Sequence, residues 1–182
     1  MTSFDEIAFN LLHGLAGQVF MLDLVFIFMA KYIPWVIGFA CFWTLFRKKD
    51  WGEGTTSWKL KYQHFALIIL AIIISWGILG NLVNSFTNIL GPSATISSES
   101  LIVHNAEGTF PSDHMTFLIP LALGTLLFSK KMGWWAILGV ITVGLARIVV
   151  GVHWPTDIIA GIAIGLISFY LVKLLFKKQK LI

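Results

Sequence analysis

Residues 65–90 of the chain read FALIILAIIISWGILGNLVNSFTNIL and contain no charged side chain. An α-helix needs about 20 consecutive, mostly apolar residues to cross the hydrocarbon core of a bilayer. Residues 65–90 meet this requirement. Four further apolar segments are candidate spans, namely residues 32–46, 112–129, 132–150 and 156–176. The first of these is short, and Pro34 predicts a kink or a new helix start within it. The sequence therefore predicts a bundle of about five transmembrane helices.

The composition also points to the membrane. The 182-residue chain is 57% hydrophobic and only 12% charged, whereas soluble domains are about 25% charged. Its mean hydropathy is +0.84, and a soluble fold of this size would need more polar surface to cover its core. The one cysteine, Cys41, rules out an intrachain disulfide. We therefore expect an all-α integral membrane protein with a single domain over residues 1–182.

The segment ahead of the first predicted span has the pattern of an amphipathic helix. Its apolar residues recur at helical spacing: Phe4, Ile7, Ala8, Leu11, Leu12 and Leu15. Such a helix is expected to lie in the membrane interface. The first charges of the chain are Asp5 and Glu6 rather than lysine or arginine, so a cleavable signal peptide is not expected.

The basic residues predict the orientation of the chain. Most of the 13 lysines and arginines lie in three segments, namely residues 47–61, 130–131 and 173–180. With five spans these segments share one side, which the positive-inside rule assigns to the cytoplasm. The extracytoplasmic side then holds the connection 91–111 and the turn 151–155. This placement accounts for the net charge of +4 without a nucleic-acid partner, and we expect a multi-pass protein of the cell membrane.

Two polar clusters interrupt the apolar pattern on the predicted outer side. Residues 110–114 (FPSDH) open the third span, and Arg147, His153 and Asp157 lie around the junction of the fourth and fifth spans. Arg147 stands in an otherwise apolar helix and is expected to meet an anionic partner or ligand, because burying an unpaired guanidinium is costly. His153 and Asp157 are four residues apart, so on a helix they share a face and can hydrogen bond.

The two clusters together suit phosphoryl transfer through a histidine. The His153 imidazole can attack phosphorus when the Asp157 carboxylate holds the proton of its other ring nitrogen. His114 can protonate the leaving oxygen as a general acid. Together these three side chains form a candidate catalytic set.

Three further residues are candidates for binding the substrate phosphate. Arg147 can pair with phosphate oxygens as charge spreads over them in the transition state. Ser112 stands where a helix begins, so its hydroxyl and the following backbone amides can bind an anion. Asp113, in the first turn of that helix, is assigned to the same phosphate site.

Metal binding is an alternative use of the same side chains. His114, His153 and Asp157 could together hold zinc. However, the chain contains no His-Glu-x-x-His pattern, and Arg147 beside a metal ion would be electrostatically unfavourable. We therefore expect neither a metal site nor a cofactor.

The motifs resemble a known family. Pro111-Ser112-Asp113-His114 and Arg147-x5-His153-x3-Asp157 are similar to the second and third signature motifs of the type-2 phosphatidic acid phosphatase superfamily. Within it, residues 104–107 (HNAE), 147–155 (RIVVGVHWP) and 13–15 (HGL) resemble the bacitracin-resistance type of undecaprenyl-diphosphatase. The resemblance implies a metal-independent hydrolase that forms a phosphohistidine on His153, with Asp157 orienting it and His114 donating a proton.

The same resemblance implies a substrate and a cellular role. The substrate would be a lipid diphosphate, undecaprenyl diphosphate, which is hydrolysed to the monophosphate on the extracytoplasmic side. This reaction would recycle the lipid carrier of peptidoglycan biosynthesis and confer bacitracin resistance. Phosphatidic acid and phosphatidylglycerol phosphate stay open as alternative substrates.

One position departs from the family pattern. The family's first motif supplies a lysine and an arginine-proline pair, whereas residues 89–93 here read ILGPS, so Gly91 stands where the arginine is expected, beside Pro92. A hydrogen bond to a charged group contributes about 1.5–3 kcal/mol. A catalytically weak or inactive relative that only binds lipid phosphates is therefore a second alternative. Two weaker site candidates are Lys31, which could partly replace the arginine, and His104, which could equally be a polar loop residue.

Overall fold

The computed structural model describes residues 3–47, 55–96, 99–103 and 107–179, and every regular element in these ranges is helical. The elements are α1 (Ser3–His13), α2 (Phe20–Lys31), α3 (Ile33–Arg47), α4 (Thr55–Ile72), a π-helical segment (Ile73–Gly80), α5 (Asn81–Thr87), α6 (Pro92–Thr95), α7 (Asp113–Phe128), α8 (Lys130–Val149) and α9 (Pro155–Lys178). The expectation of an all-helical membrane protein is confirmed.

The helices account for the predicted spans. Within the described ranges, three helical stretches are long and apolar enough to cross a membrane, namely Trp58–Thr95, Lys130–Val149 and Pro155–Lys178. Helices α2 and α3 meet the same test only when they are taken together as a pair bent by 43°. The break between them falls at Tyr32, just ahead of Pro34. Helix α7 is apolar but has only 16 residues. The chain is a multi-pass membrane protein.

Helix α7 lies at the centre of the bundle and packs against α3, α4, α8 and α9. Its contact with α9 is close because Gly161 of α9 has no side chain. A Cβ atom at that position would lie 2.6 Å from the Cβ of Met115 and 2.8 Å from the carbonyl oxygen of Ser112. Small residues permit this kind of approach between membrane helices. As a result, the first turns of α7 and α9 lie side by side.

A π-helical segment interrupts the long span that begins in α4. It covers Ile73–Gly80 and continues into α5. Single π-helical turns are rare and often occur at functional sites. This segment carries Trp76, which lines a cavity next to α7. The apolar sequence predicts a helix here but gives no signal for the wider turn.

The N-terminal helix is present as predicted, and its two faces differ in what they contact. Phe4, Ile7 and Leu11 are exposed on the outside of the bundle, as expected for an apolar face at a membrane interface. The opposite face packs against α8 and α9. Asp5 and Phe9 are buried on that face.

Candidate active site

The turn between α8 and α9, residues 150–154, carries His153. Gly151 has a φ of +84°, which lies in the left-handed region that favours glycine. The amide of Gly151 donates to the carbonyl of Ile148, and the amide of Val152 donates to the carbonyl of Arg147. These bonds fold the turn back onto the last turn of α8. Arg147 and His153 are thereby held next to each other.

His153 and Asp157 form a buried pair at the start of α9. The Nδ1 atom of His153 lies 3.1 Å from Oδ2 of Asp157, and the Trp154 amide donates to the same oxygen at 3.0 Å. Their exposed fractions are 3% and 0%. A carboxylate at this position is suited to the first turn of a helix, where backbone amides lack internal partners. With Nδ1 donating to Asp157, the lone pair of His153 is on Nε2.

The Nε2 atom of His153 points towards the start of α7. It lies 3.4 Å from the Ser112 hydroxyl oxygen. Ser112 precedes the first residue of α7, yet its side chain makes no capping bond to that helix. Its amide donates to the carbonyl of Asp157 at 3.1 Å, which fixes the start of α7 against α9. The Ser112 hydroxyl therefore faces the histidine instead of its own helix.

Arg147 and His114 meet on the other side of the same site. One terminal nitrogen of the guanidinium lies 3.4 Å from Nε2 of His114. Arg147 is 4% exposed, and its Nε atom is buried without a hydrogen-bond partner. Asp113 is close enough to attract it electrostatically. An anion entering the site would supply the acceptor that Nε lacks.

These side chains line a cavity of about 230 Å³. Its wall includes Arg147, His153, His114, Asp113, Glu107 and Thr109. The cavity thus brings together both candidate histidines and the buried guanidinium, and Asp157 and Ser112 contact His153 at its edge. The arrangement provides a nucleophilic nitrogen, a second imidazole and a cation within one small space.

A second cavity of about 330 Å³ adjoins the first and is mainly apolar. Asp113 and His114 line both cavities. The remaining wall of the larger cavity consists of Pro34, Trp35, Trp76, Phe117 and Leu118. The Trp76 indole and the Asp113 carboxylate lie close to each other in its wall. A polar compartment therefore stands directly beside an aromatic one.

The sequence did not assign Thr109, Glu107 or Trp76 to the site. Thr109 is buried and its hydroxyl oxygen has no hydrogen-bond partner, although its side chain lies near Asp157. The sequence did carry a signal for Thr109, because this residue lies only two positions before Pro111 of the polar cluster. The sequence carried no signal for Trp76, because its approach to Asp113 depends on the π-helical segment.

The region of Gly91 also lies near the site. The carbonyl of Leu90 accepts a bond from the Trp154 indole at 3.0 Å, and the carbonyl of Ile89 accepts one from the Thr109 amide at 3.1 Å. Gly91 itself is buried and precedes α6. A side chain at position 91 would therefore start close to the Trp154 indole.

The two weaker candidates are less closely connected to these cavities. Lys31 is exposed at the end of α2, and its ammonium group lies 5.7 Å from the centre of the Tyr32 ring. It lines neither cavity, although Pro34 and Trp35 follow one helical turn later. His104 lies outside the described residues.

The described ranges contain no group of three histidine, cysteine or acidic side chains that could hold a metal ion. His153 and Asp157 are hydrogen bonded to each other rather than directed at a common point. The zinc alternative therefore has no donor set in this part of the chain.

Comparison with known proteins assigns the family. The PAP2 superfamily matches residues 65–181. Over 173 residues the chain is 31% identical to the bacitracin transport permease protein BcrC of Bacillus licheniformis, covering 91% of this chain and 79% of that protein. It is 27% identical over 167 residues to the undecaprenyl-diphosphatase BcrC of Bacillus subtilis (strain 168), covering 90% and 79%.

Solved structures agree at the level of the fold. The crystal structure of Aquifex aeolicus LpxE superposes with a TM-score of 0.75 at 21% identity, covering 94% of this chain and 95% of that one. A phosphatidylglycerolphosphate phosphatase of PAP2 type from Bacillus subtilis gives a TM-score of 0.63 at 19% identity, covering 97% and 88%. The family match and the curated relatives together show that the chain belongs to the PAP2 superfamily, and it is a membrane-embedded phosphatase.

Proposed function

We propose that the protein hydrolyses a polyprenyl diphosphate, undecaprenyl diphosphate, to the monophosphate through a phosphohistidine on His153. The observation that carries the proposal is the 230 Å³ cavity, in which the His153–Asp157 pair faces a buried Arg147 whose Nε has no partner. This is the arrangement that attack on a phosphoryl group requires. The name of the Bacillus subtilis relative, undecaprenyl-diphosphatase, supports the same substrate.

The first step transfers the terminal phosphoryl group to the enzyme. Nε2 of His153 forms a bond to phosphorus while the bond from phosphorus to the bridging oxygen breaks. His114 donates a proton to that oxygen, and the lipid monophosphate leaves. Asp157 stabilises the positive charge that develops on the His153 ring.

The second step returns the enzyme to its starting state. A water molecule attacks the phosphorus, the bond to Nε2 breaks, and inorganic phosphate leaves. His114 accepts a proton from the attacking water and is ready for the next cycle. The same histidine thus acts first as acid and then as base.

Arg147, Ser112 and the first amides of α7 bind the transferring phosphoryl group. When the phosphate enters, the guanidinium turns its donors from His114 to the phosphate oxygens, and Nε2 of His114 is then able to carry its proton. Charge on the equatorial oxygens grows in the transition state, so these donors stabilise it more than the ground state. Asp113 keeps the guanidinium oriented through its negative charge.

The adjoining apolar cavity supports a lipid substrate. A diphosphate held at His153 and His114 would place its first carbon atoms next to Trp76 and Phe117. Aromatic and aliphatic walls bind such carbon atoms by removing their surface from water or headgroups.

We further propose that the site faces the extracytoplasmic side of the plasma membrane. The site forms where α7 and α9 begin and α8 ends, whereas Lys130, Lys131, Lys177 and Lys178 lie at the opposite ends of α8 and α9. The positive-inside rule assigns those basic ends to the cytoplasm.

The test is phosphate release by purified protein in detergent with undecaprenyl diphosphate, in the presence of EDTA. We expect turnover by the unmodified chain and none by His153→Ala. Phosphatidylglycerol phosphate and phosphatidic acid run in parallel, and faster release from either would reassign the substrate. Binding of polyprenyl phosphates without any release would instead support the inactive relative that Gly91 suggests.

A further inference from the structure

The inner face of α1 contacts the α8–α9 turn and its flanking residues through three side chains spaced along the helix. Asp5, Phe9 and His13 are spaced four residues apart, so they lie on one face of the helix. Each of them contacts a different part of the segment 149–156, which includes His153. The catalytic proposal makes no use of these three residues.

Asp5 caps the start of α9 from another helix. The Oδ1 atom of Asp5 accepts a hydrogen bond of 3.0 Å from the amide of Thr156, and Asp5 is only 4% exposed. The amides in the first turn of a helix have no partner within the helix. Trp154, which precedes α9, carries an indole that can only donate, so it cannot satisfy them. Asp5 supplies the missing acceptor directly beside Asp157.

His13 closes the other end of the segment. Its Nδ1 donates to the carbonyl of Val149, the last residue of α8, at 2.8 Å. The ring also fits tightly against the turn, since a Cβ atom at Gly151 would lie 3.0 Å from Cε1 of His13. Phe9 fills the space between, with its ring 4.8 Å from His13 and 5.0 Å from Trp154 between centroids.

We propose that Asp5 and His13 are positioning residues for phosphoryl transfer. They hold the two ends of the segment 149–156, and through it they keep Nε2 of His153 directed into the phosphate cavity. The inference rests on the proposed function, because the positioning matters only if His153 is the nucleophile. The exposed apolar face of α1 gives the helix its own attachment to the membrane interface, so the inner face is held against the turn.

The test compares paired substitutions of similar size. Asp5→Leu and His13→Phe keep bulk but remove the acceptor and the donor. Asp5→Asn keeps an acceptor oxygen, and His13→Asn keeps a donor near the Nδ1 position. The matched controls are Glu6→Gln, at an exposed position of the same helix, and His64→Phe, in α4 against Phe128 at the end of α7 opposite the site.

We expect Asp5→Leu and His13→Phe to lower kcat by about ten-fold or more, because a displacement of about 1 Å can cost a hundred-fold in rate. KM should change by less than about two-fold, since the phosphate-binding groups stay in place. The two asparagine variants should stay within about three-fold of the unmodified chain, and both controls within about two-fold. Helical content and thermal unfolding in detergent identify variants that do not fold. If the variants at one of the two positions do not fold, the variants at the other position test the positioning role.

Unchanged kcat in folded Asp5→Leu and His13→Phe, while the unmodified chain turns over, would overturn the positioning role alone. Equal losses in the asparagine and apolar variants would overturn it as well. If the unmodified chain releases no phosphate from any lipid, the proposed function fails. Amide hydrogen exchange then tests whether Asp5 and His13 hold the segment 149–156. Faster exchange of residues 149–156 in both apolar variants would then support the held turn, and unaltered exchange would contradict it.

Discussion

At the scale of single residues, the site depends on which hydrogen bonds each side chain makes. One oxygen of Asp157 accepts from both the His153 ring and the Trp154 amide, so the ring can hardly rotate. The Ser112 hydroxyl is available to the site because it makes no cap for its own helix. Arg147 keeps a buried Nε without a protein partner. The His153 ring is thereby held in place, and Arg147 retains a hydrogen-bond donor that no protein group uses.

The proposed role of His114 as proton donor predicts a dependence on the leaving group. His114→Ala should slow release from lipid diphosphate by about 10²–10⁴-fold, the usual contribution of a general acid. The loss should shrink along a series of aryl phosphates as the leaving group becomes more acidic, because such groups need less protonation. Single-turnover rates for the series measure this. An equal loss across the whole series would refute the role.

The substitution at position 91 leads to a gain-of-function prediction. Gly91→Arg would add a guanidinium on a side chain that starts close to the Trp154 indole, and we expect it to raise kcat/KM by about ten-fold or more. Ser93→Arg, two residues further on, adds the same charge and should change activity by less than about two-fold. If Lys31 compensates for the missing arginine, Lys31→Ala lowers activity and Gly91→Arg restores it. No effect of Gly91→Arg in either background would mean that position 91 does not correspond to the family's arginine.

Much of the residue-level geometry could be foreseen from spacing. The separation of four between His153 and Asp157, and the position of Ser112 at a helix start, depend only on local chain geometry. Trp76 could not be found in this way, because it reaches the site through packing between distant segments. Glu107 and Thr109 directly precede the cluster 110–114, but spacing alone did not distinguish them from ordinary loop residues. Whether the six assigned residues carry their proposed roles is decided by the experiments above.

At the scale of helices, the site depends on the close contact of α7 with α9. Gly161→Ala would push a Cβ atom against the backbone of Ser112 and against Met115. We expect a loss of about 1–3 kcal/mol of stability, the usual cost of overpacking, and a lower kcat because Ser112 and His153 move apart. Thermal unfolding in detergent and phosphate release check both effects.

Gly38→Ala is the matched control for this prediction. Gly38 lies in α3, and a Cβ atom there has no other atom within 4 Å. Alanine is also the better helix former by about 1 kcal/mol, so stability should be unchanged or slightly higher. Equal behaviour of the two variants would mean that the α7–α9 contact is not tight enough to position the site.

The sequence predicted the helices better than their irregularities. Long apolar segments identify spans because the bilayer leaves few alternatives to helices. The bend between α2 and α3 was predicted through Pro34, and it falls nearby at Tyr32. The π-helical segment was not predicted, since uniformly apolar residues carry no period that separates a π-turn from an α-turn.

At the scale of the whole molecule, the proposed orientation places the end of the bundle that carries the site outside the cell. Val103 is fully exposed. Because the neighbouring Leu101 amide donates to the carbonyl of Val150 in the α8–α9 turn, Val103 marks the end of the bundle that carries the site. Lys131 marks the opposite end. Val103→Cys should react with a membrane-impermeant maleimide on intact cells, whereas Lys131→Cys should react only after permeabilisation. Cys41 is buried, so the otherwise unmodified chain serves as the unlabelled control, and the reverse pattern would contradict the orientation.

The central claim is that His153 becomes phosphorylated during turnover, and rapid-quench trapping with lipid diphosphate labelled with ³²P in its terminal phosphate tests it most directly. The account predicts a transient labelled enzyme that is labile to acid and stable to alkali, with the label mapping to His153. The label should be missing from His153→Ala and should form more slowly in His114→Ala. Phosphate release by the unmodified chain with no labelled enzyme at any time, together with continued turnover by His153→Ala, would contradict the account.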